Sequence, residues 1–188
     1  MIRRTILSLS KASDRLASLN ITLPPPGLPK GERKVSDSKL TYRSNIVTNT
    51  IILSLPFPLP FNTIIKANYN MSCMTTSNTL YISGHLPILP SGSLITGRLG
   101  STVTLTEGQS ASRLACLHLL STIRSSIGTL DNVVKVNKIF GIVSSDDDFY
   151  EQHLVLNGAS DLIMEVFGKE KGYHARSGEV LRASVPLV

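Results

Sequence analysis

The run HARSGEVLRASV, beginning at His174, puts Arg176 in a short extended stretch just past a helical one. A planar guanidinium in such a place can make two parallel charge-assisted hydrogen bonds to a carboxylate. It can also pair with an acid of its own chain, such as Glu179, or with a neighbouring subunit. Other chemistry-bearing residues are sparse. His85, His118, His153 and His174 form no close pair of the kind that chelates zinc. Cys73 and Cys116 are too few for a disulfide framework and lack the spacing of a metal knuckle. We therefore expect no metal and a reducing compartment. Asp146, Asp147 and Asp148 read as the start of a helix, where the helix dipole favours negative charge, rather than as a cation site.

The elements that must carry Arg176 are legible from Thr79 onward. TLYISG places Leu80 and Ile82 in alternation and stops at Gly84, which predicts a strand. LPILPSGSLITGRLG then offers a Pro-Ser-Gly turn and a short second strand. Thr104 and Glu107 fit the S/T-x-x-E capping box. The helix they open has Ala111, Leu114, Leu117, Leu120, Ile123 and Ile127 as its expected apolar stripe and Gly128 as its stop. VVKVNKIFGIV predicts another strand, and a second helix is expected to run from the acidic triple to Gly168. HARSGEVLRASV predicts a last strand with a bulge at Gly178. This order gives an α+β domain, with one mixed sheet and two helices on one of its faces.

Upstream the pattern is poorer. Residues 1–30 read as an N-terminal helix and a Pro-rich arm, with LPPPG ending the helix. Residues 31–66 read as an irregular insert, poorly ordered, before a domain spanning 67–188. Within that insert, IVTNTIILSLPFPLPFNTII is apolar enough to raise the question of a membrane, but Pro56, Pro58 and Pro60 argue against a spanning helix. The same stretch does not alternate like a strand, and its prolines would break a central ladder. The net charge of +6 is also local. Residues 1–43 hold nine Lys/Arg and three Asp/Glu, whereas residues 44–188 hold ten of each. A neutral folded part does not suit an extended phosphate-binding face, so nucleic acid is not the expected partner. The first residues, MIRRTILSLSKASDRLASL, have the composition of a mitochondrial presequence or of an ordinary short helix. Cytoplasmic and mitochondrial locations both stay open.

Four stretches in order, NTLYISGHLPILPSGSLITGRLG, EGQSASRLACLHLLSTI, KIFGIVSSDDDFYEQHLVLNGASDLIMEVFG and HARS, resemble the Rid/YjgF family. Within it they resemble the longer RidA-like proteins that are also labelled endoribonuclease L-PSP. The resemblance covers nearly everything from Ala67 to about Ser177, together with RLASLNITLPPPG. It implies a chorismate-mutase-like fold and a homotrimer with clefts between subunits. It also implies hydrolysis of reactive 2-imino and 2-enamino acids, such as 2-aminoacrylate, to 2-keto acids and ammonia without a cofactor. On this resemblance Arg176 is the carboxylate-binding arginine. Gly84 matches the cleft glycine of an SGQ-type strand end, with His85 in place of the more usual glutamine. Tyr69 falls where the family has a cleft tyrosine, or else is a packing aromatic. Asn157, or Ser160 if the match slips by one helical turn, is the polar helix residue near the cleft. No residue is assigned a catalytic role.

Two departures from the family pattern bear on function. Gly178 stands where many relatives have a cysteine. The family's last strand, with a V-E-I-E-A-like run and a glutamate able to orient water, has no match before Val188. Its loss would expose a sheet edge and remove a candidate for acid–base work. The insert, rich in residues with pyrimidine-rich codons, fits translated intron or a lineage-specific loop. Besides the deaminase, these features leave a non-catalytic small-molecule-binding or regulatory trimer, and an inactive product of imperfect gene structure, as readings. Ribonuclease activity is disfavoured by the neutral charge of residues 44–188 and the lack of a base-stacking aromatic run.

Overall fold

Alternating apolar residues and a few well-placed caps build one sheet. The computed structural model describes residues 11–26, 47–54 and 69–181. In chain order the elements are α1 (Ala12–Ser18), β1 (Val47–Ser54), β2 (Ser72–Met74), β3 (Thr79–His85), α2 (Leu105–Ile127), a 3-10 turn (Leu130–Asn132), β4 (Lys135–Ser144), α3 (Gln152–Val155), α4 (Asn157–Gly172) and β5 (Ala175–Leu181). The sheet is five-stranded and mixed, in the order β2-β3-β1-β4-β5. Only the β4–β5 pair is parallel.

The sheet corrects the expectation of an irregular insert at residues 47–54, and the rest of 31–66 lies outside the described residues. Residues 47–54 form a strand hydrogen-bonded on both sides, to β3 and to β4. Ile51 and Leu53 are buried on the helix side, while Ile52 between them is half-buried on the opposite face. A strand apolar on both faces shows no period-two pattern, and that concealed it. It ends at Ser54, and Pro56, Pro58 and Pro60 fall outside the described residues.

α2 begins at the expected capping box, with Thr104 Oγ1 accepting from Glu107 N–H and the Glu107 carboxylate accepting from Thr104 N–H. It ends at Gly128, whose φ of 82° lies in the left-handed region that glycine tolerates. Its buried face differs from the expected stripe. Leu114 and Leu117 are half-exposed, and Ala115, Cys116 and Leu119 are buried instead. Cys116 and Leu119 join Leu120, Ile123 and Ile127 against Ile51, Leu53, Leu80, Ile82, Val136 and Ile139 of the sheet and Leu162, Ile163 and Val166 of α4. Leu16 of α1 and Leu23 complete this core. Burying a side chain of this size contributes roughly 1.5–3 kcal/mol, so the helix layer and the sheet depend on each other.

Three further expectations are corrected. The acidic triple precedes α3 without starting it: Asp146 pairs with Arg98 at 2.9 Å, and helix begins at Gln152. The second short strand is a set of isolated bridges, Ile88 with Leu94 and Leu99 with Val103 and Ser145. α4 kinks at Gly168 (φ 75°) and continues to Gly172. At the kink the Arg15 guanidinium lies against the Gly168 backbone, within about 3 Å of where a Cβ would sit. None of the described helices is long and apolar enough to cross a membrane.

Candidate functional site

α4 and β5 lie side by side, and the register of β5 decides what faces the helix. Arg176 pairs in register with Ile139, a residue buried on the helix side of the sheet. Arg176 therefore reaches back over the first turn of α4. Its Nη1 donates to Asn157 Oδ1 at 2.8 Å and to Ser160 Oγ at 3.1 Å. Asn157 and Ser160 are three apart on a helix and share a face, so both alternatives drawn from the sequence meet the same guanidinium. Glu179, an odd number of residues away, falls on the other face of the strand. No described carboxylate pairs with Arg176, whose side chain stays exposed. Among the described residues its positive charge is held in place by neutral acceptors.

β5 runs in unbroken parallel register from Ala175 to Leu181, so the expected bulge at Gly178 is absent. The glycine has a packing reason instead. A Cβ there would lie 3.0 Å from Leu156 Cδ1, closer than ordinary contact. Gly178 thus lets the strand lie close beside the start of α4, where Asn157 and Ser160 are held.

His174 joins this cluster, although sequence reasoning assigned it no role beyond the absence of a metal pair. Its Nε2 is 3.0 Å from Ser160 Oγ and its Nδ1 is 2.6 Å from the Gly172 carbonyl oxygen. Burial holds its pKa below the usual histidine value, and the charges of Arg176 and Lys135 push in the same direction. The signal was present in HARS: two residues apart in an extended stretch, His174 and Arg176 project to the same side.

Gly84 and Tyr69 are not brought to this cluster. Gly84 is on β3, and β1 and β4 lie between β3 and β5. Three inter-strand steps amount to about 14 Å, too far for one three-carbon acid to bridge. Tyr69, just before β2, is 54% exposed and lies beyond β3 at the same end of the strand order. The end of β3 carries a bulge. Asn49 pairs with His85 and Ile51 with Ile82, which gives β3 one extra residue. That residue breaks the alternation and turns His85 inward, where Nε2 meets Thr122 Oγ1 at 2.7 Å and Nδ1 meets the Ser83 carbonyl oxygen at 2.8 Å. Ser126 and Ser72 extend the buried chain of polar contacts.

Burial lowers the His85 pKa to about 4, from 6.5. The unfolded chain then binds the proton that the folded one refuses, so stability should fall as pH drops from about 6.5 to about 4. Chemical unfolding across that range checks this, and His85→Gln should flatten the slope. A cavity of about 400 Å³ lies elsewhere, near the start of α2, and its lining includes Ile95, Thr102, Thr106 and Ser110 but none of the site residues. Among the described residues no group of three or more His, Cys, Asp or Glu could hold a metal ion.

The family model described as "YjgF/chorismate mutase-like, putative endoribonuclease" matches residues 49–185, most of the chain. The chain belongs to the YjgF/Rid family. The match begins within β1, inside the segment that the sequence set apart as an insert. A Trypanosoma cruzi relative, Protein TCP17, is 43% identical over 122 residues, which cover 65% of this chain and 76% of that protein. Two solved YjgF-like neighbours agree in fold. A Shewanella oneidensis protein carrying the same endoribonuclease label has a TM-score of 0.69 at 25% identity, covering 94% of this chain and 91% of its own. An Agrobacterium tumefaciens protein of unknown function has a TM-score of 0.58 at 38% identity, covering 70% and 78%. The mixed five-stranded sheet with helices packed on it is this family's fold.

Proposed function

We propose that this YjgF/Rid protein hydrolyses reactive 2-imino and 2-enamino acids, such as 2-aminoacrylate, to 2-keto acids and ammonia. The observation that carries the reading is the state of Arg176. It is an exposed guanidinium, pre-oriented by Asn157 and Ser160 and paired with no described acid. A small anion bearing a carboxylate would complete its charge. The neighbouring hydroxyl and imidazole can then act on an atom next to that carboxylate. Such imines already hydrolyse in water, so orientation and modest electrostatic help are enough. RNA cleavage, the activity named in the family label, is supported less well by the balanced charge of residues 44–188.

We further propose that the working unit is a homotrimer. Gly84 and Tyr69 could serve the same ligand as Arg176 only from a neighbouring copy. The sheet face away from the helices offers Ile52, Tyr81, Phe140 and Ile142 without any described element covering them. Sedimentation is expected to give three times the 20.4 kDa chain mass. A monomer at micromolar concentration would overturn the trimer. For the activity itself, ammonia release from freshly generated 2-aminoacrylate should exceed the buffer rate in proportion to enzyme. A rate no faster than buffer, with saturable binding of pyruvate or another 2-keto acid, would replace the deaminase with a binding protein.

A further inference from the structure

Ser160 Oγ stands between a base and a cation, and the hydrogen-bond roles around it are fixed. A carbonyl oxygen can only accept, so the 2.6 Å contact with Gly172 puts the His174 ring proton on Nδ1. The neutral ring then turns the lone pair of Nε2 toward Ser160 Oγ at 3.0 Å. Arg176 Nη1 can only donate, and it gives a hydrogen bond to the same Oγ at 3.1 Å. The one hydroxyl proton of Ser160 must therefore point at His174. This is the geometry of a hydroxyl with a base behind it and a cation beside it.

We propose that Ser160 and His174 form a proton relay for hydrolysis at Arg176. Ser160 touches the attacking water, and His174 is a positioning residue and proton store acting through it. The proposal rests on the deaminase reading and adds to it the acid–base groups that the reading lacks. With the carboxylate on Arg176, the water oxygen bonds to the iminium carbon and the C=N π pair moves to nitrogen. The water proton passes to Ser160 Oγ as the hydroxyl proton passes to His174 Nε2, leaving a neutral carbinolamine. The imidazolium then returns a proton through Ser160 to the amine nitrogen. The C–N bond breaks with its pair on departing ammonia, the carbonyl forms, and the proton of the hydroxyl is lost to solvent. Iminium and water have become keto acid, ammonia and one proton, and the relay is restored.

The charged groups facing His174 are Arg176, on the strand it leads into, and Lys135 on β4. α4 faces it with Ser160 and the Gly172 carbonyl. Burial first, and then both charges, disfavour protonation, so the ring is ready to accept a proton at neutral pH. It is not locked in that state, because it is only half-buried.

The test compares the pH dependence of kcat for 2-imino acid hydrolysis with an NMR titration of His174 in the same protein. The expected acid limb has a midpoint that matches the NMR titration of His174. Ser160→Ala and His174→Gln are expected to lose that limb and about 100-fold in kcat, with KM changed less. Ser160→Thr, which keeps the hydroxyl, should restore both. Turnover by Ser160→Ala with the limb and kcat unchanged overturns the relay and leaves the deaminase standing. So does a limb whose midpoint differs from the NMR titration, a comparison that needs no variant to fold. No turnover by the unaltered protein overturns the deaminase and the relay together.

Discussion

Arg176→Ala is expected to lower kcat/KM for 2-imino acid hydrolysis by about 100-fold or more, with the fold intact. A charge-assisted hydrogen bond contributes roughly 1.5–3 kcal/mol, and about 1.4 kcal/mol corresponds to a factor of ten. The guanidinium lies on the surface of β5 and carries none of the core, so removing it should leave thermal unfolding little changed. Arg176→Lys is expected to recover only part of the loss. An ammonium keeps the charge but cannot hold a carboxylate by two parallel bonds while also touching Asn157 and Ser160. Steady-state kinetics of the three proteins beside their melting curves checks this. Unchanged kcat/KM in Arg176→Ala would place the substrate's carboxylate elsewhere.

Gly158→Ala should do the opposite, damaging the fold first and activity through it. A Cβ at this position would lie 1.9 Å from the Gln109 carbonyl oxygen and 2.7 Å from its carbon. Those are backbone atoms inside α2, so no rotamer change relieves the overlap and the helices must move apart. Alanine is the better helix former by about 1 kcal/mol, which would favour the variant in an isolated helix. The clash wins, because separating α2 from α4 loosens apolar contacts along both. A loss of more than about 3 kcal/mol is expected in urea unfolding. Gly108→Ala is the comparison, since its new methyl meets Leu99 Cδ2 at 2.6 Å, the tip of a side chain. It should cost less. Because Gly158 adjoins Asn157 and lies two residues before Ser160, any Gly158→Ala protein that folds should also hold Arg176 poorly.

Much of the fold could be read from residue patterns where one local signal dominated. Thr104 and Glu107 opened α2, Gly128 closed it, and Leu80 with Ile82 marked β3. β1 escaped because Ile51, Ile52 and Leu53 are apolar on both faces of the sheet, and because prolines follow it so closely. The bulge before His85 also escaped, since its cause is a pairing with Asn49 from a strand that had not been foreseen. At the candidate site, the resemblance nominated Arg176 and Asn157, with Ser160 as the one-turn alternative, and the structure brings these three side chains together. His174 was not nominated, because its role depends on Gly172 and Ser160 lying within reach of one ring. Gly84 and Tyr69 were nominated with Arg176, yet two strands separate β3 from β5 within one chain.

The central place of β1 bears on how the chain reaches this state. β1 is made early, but its partner β4 comes only after β2, β3 and α2, with Val47 pairing to Val143. Contacts so distant in sequence cost closure entropy before they return any stability. During synthesis the TIILS segment must wait with its β4-facing edge unpaired and apolar side chains on both faces. Folding should therefore be limited by docking of β1 between β3 and β4. A protein halted before β4 emerges would be the species most prone to stick to other chains or to need a chaperone.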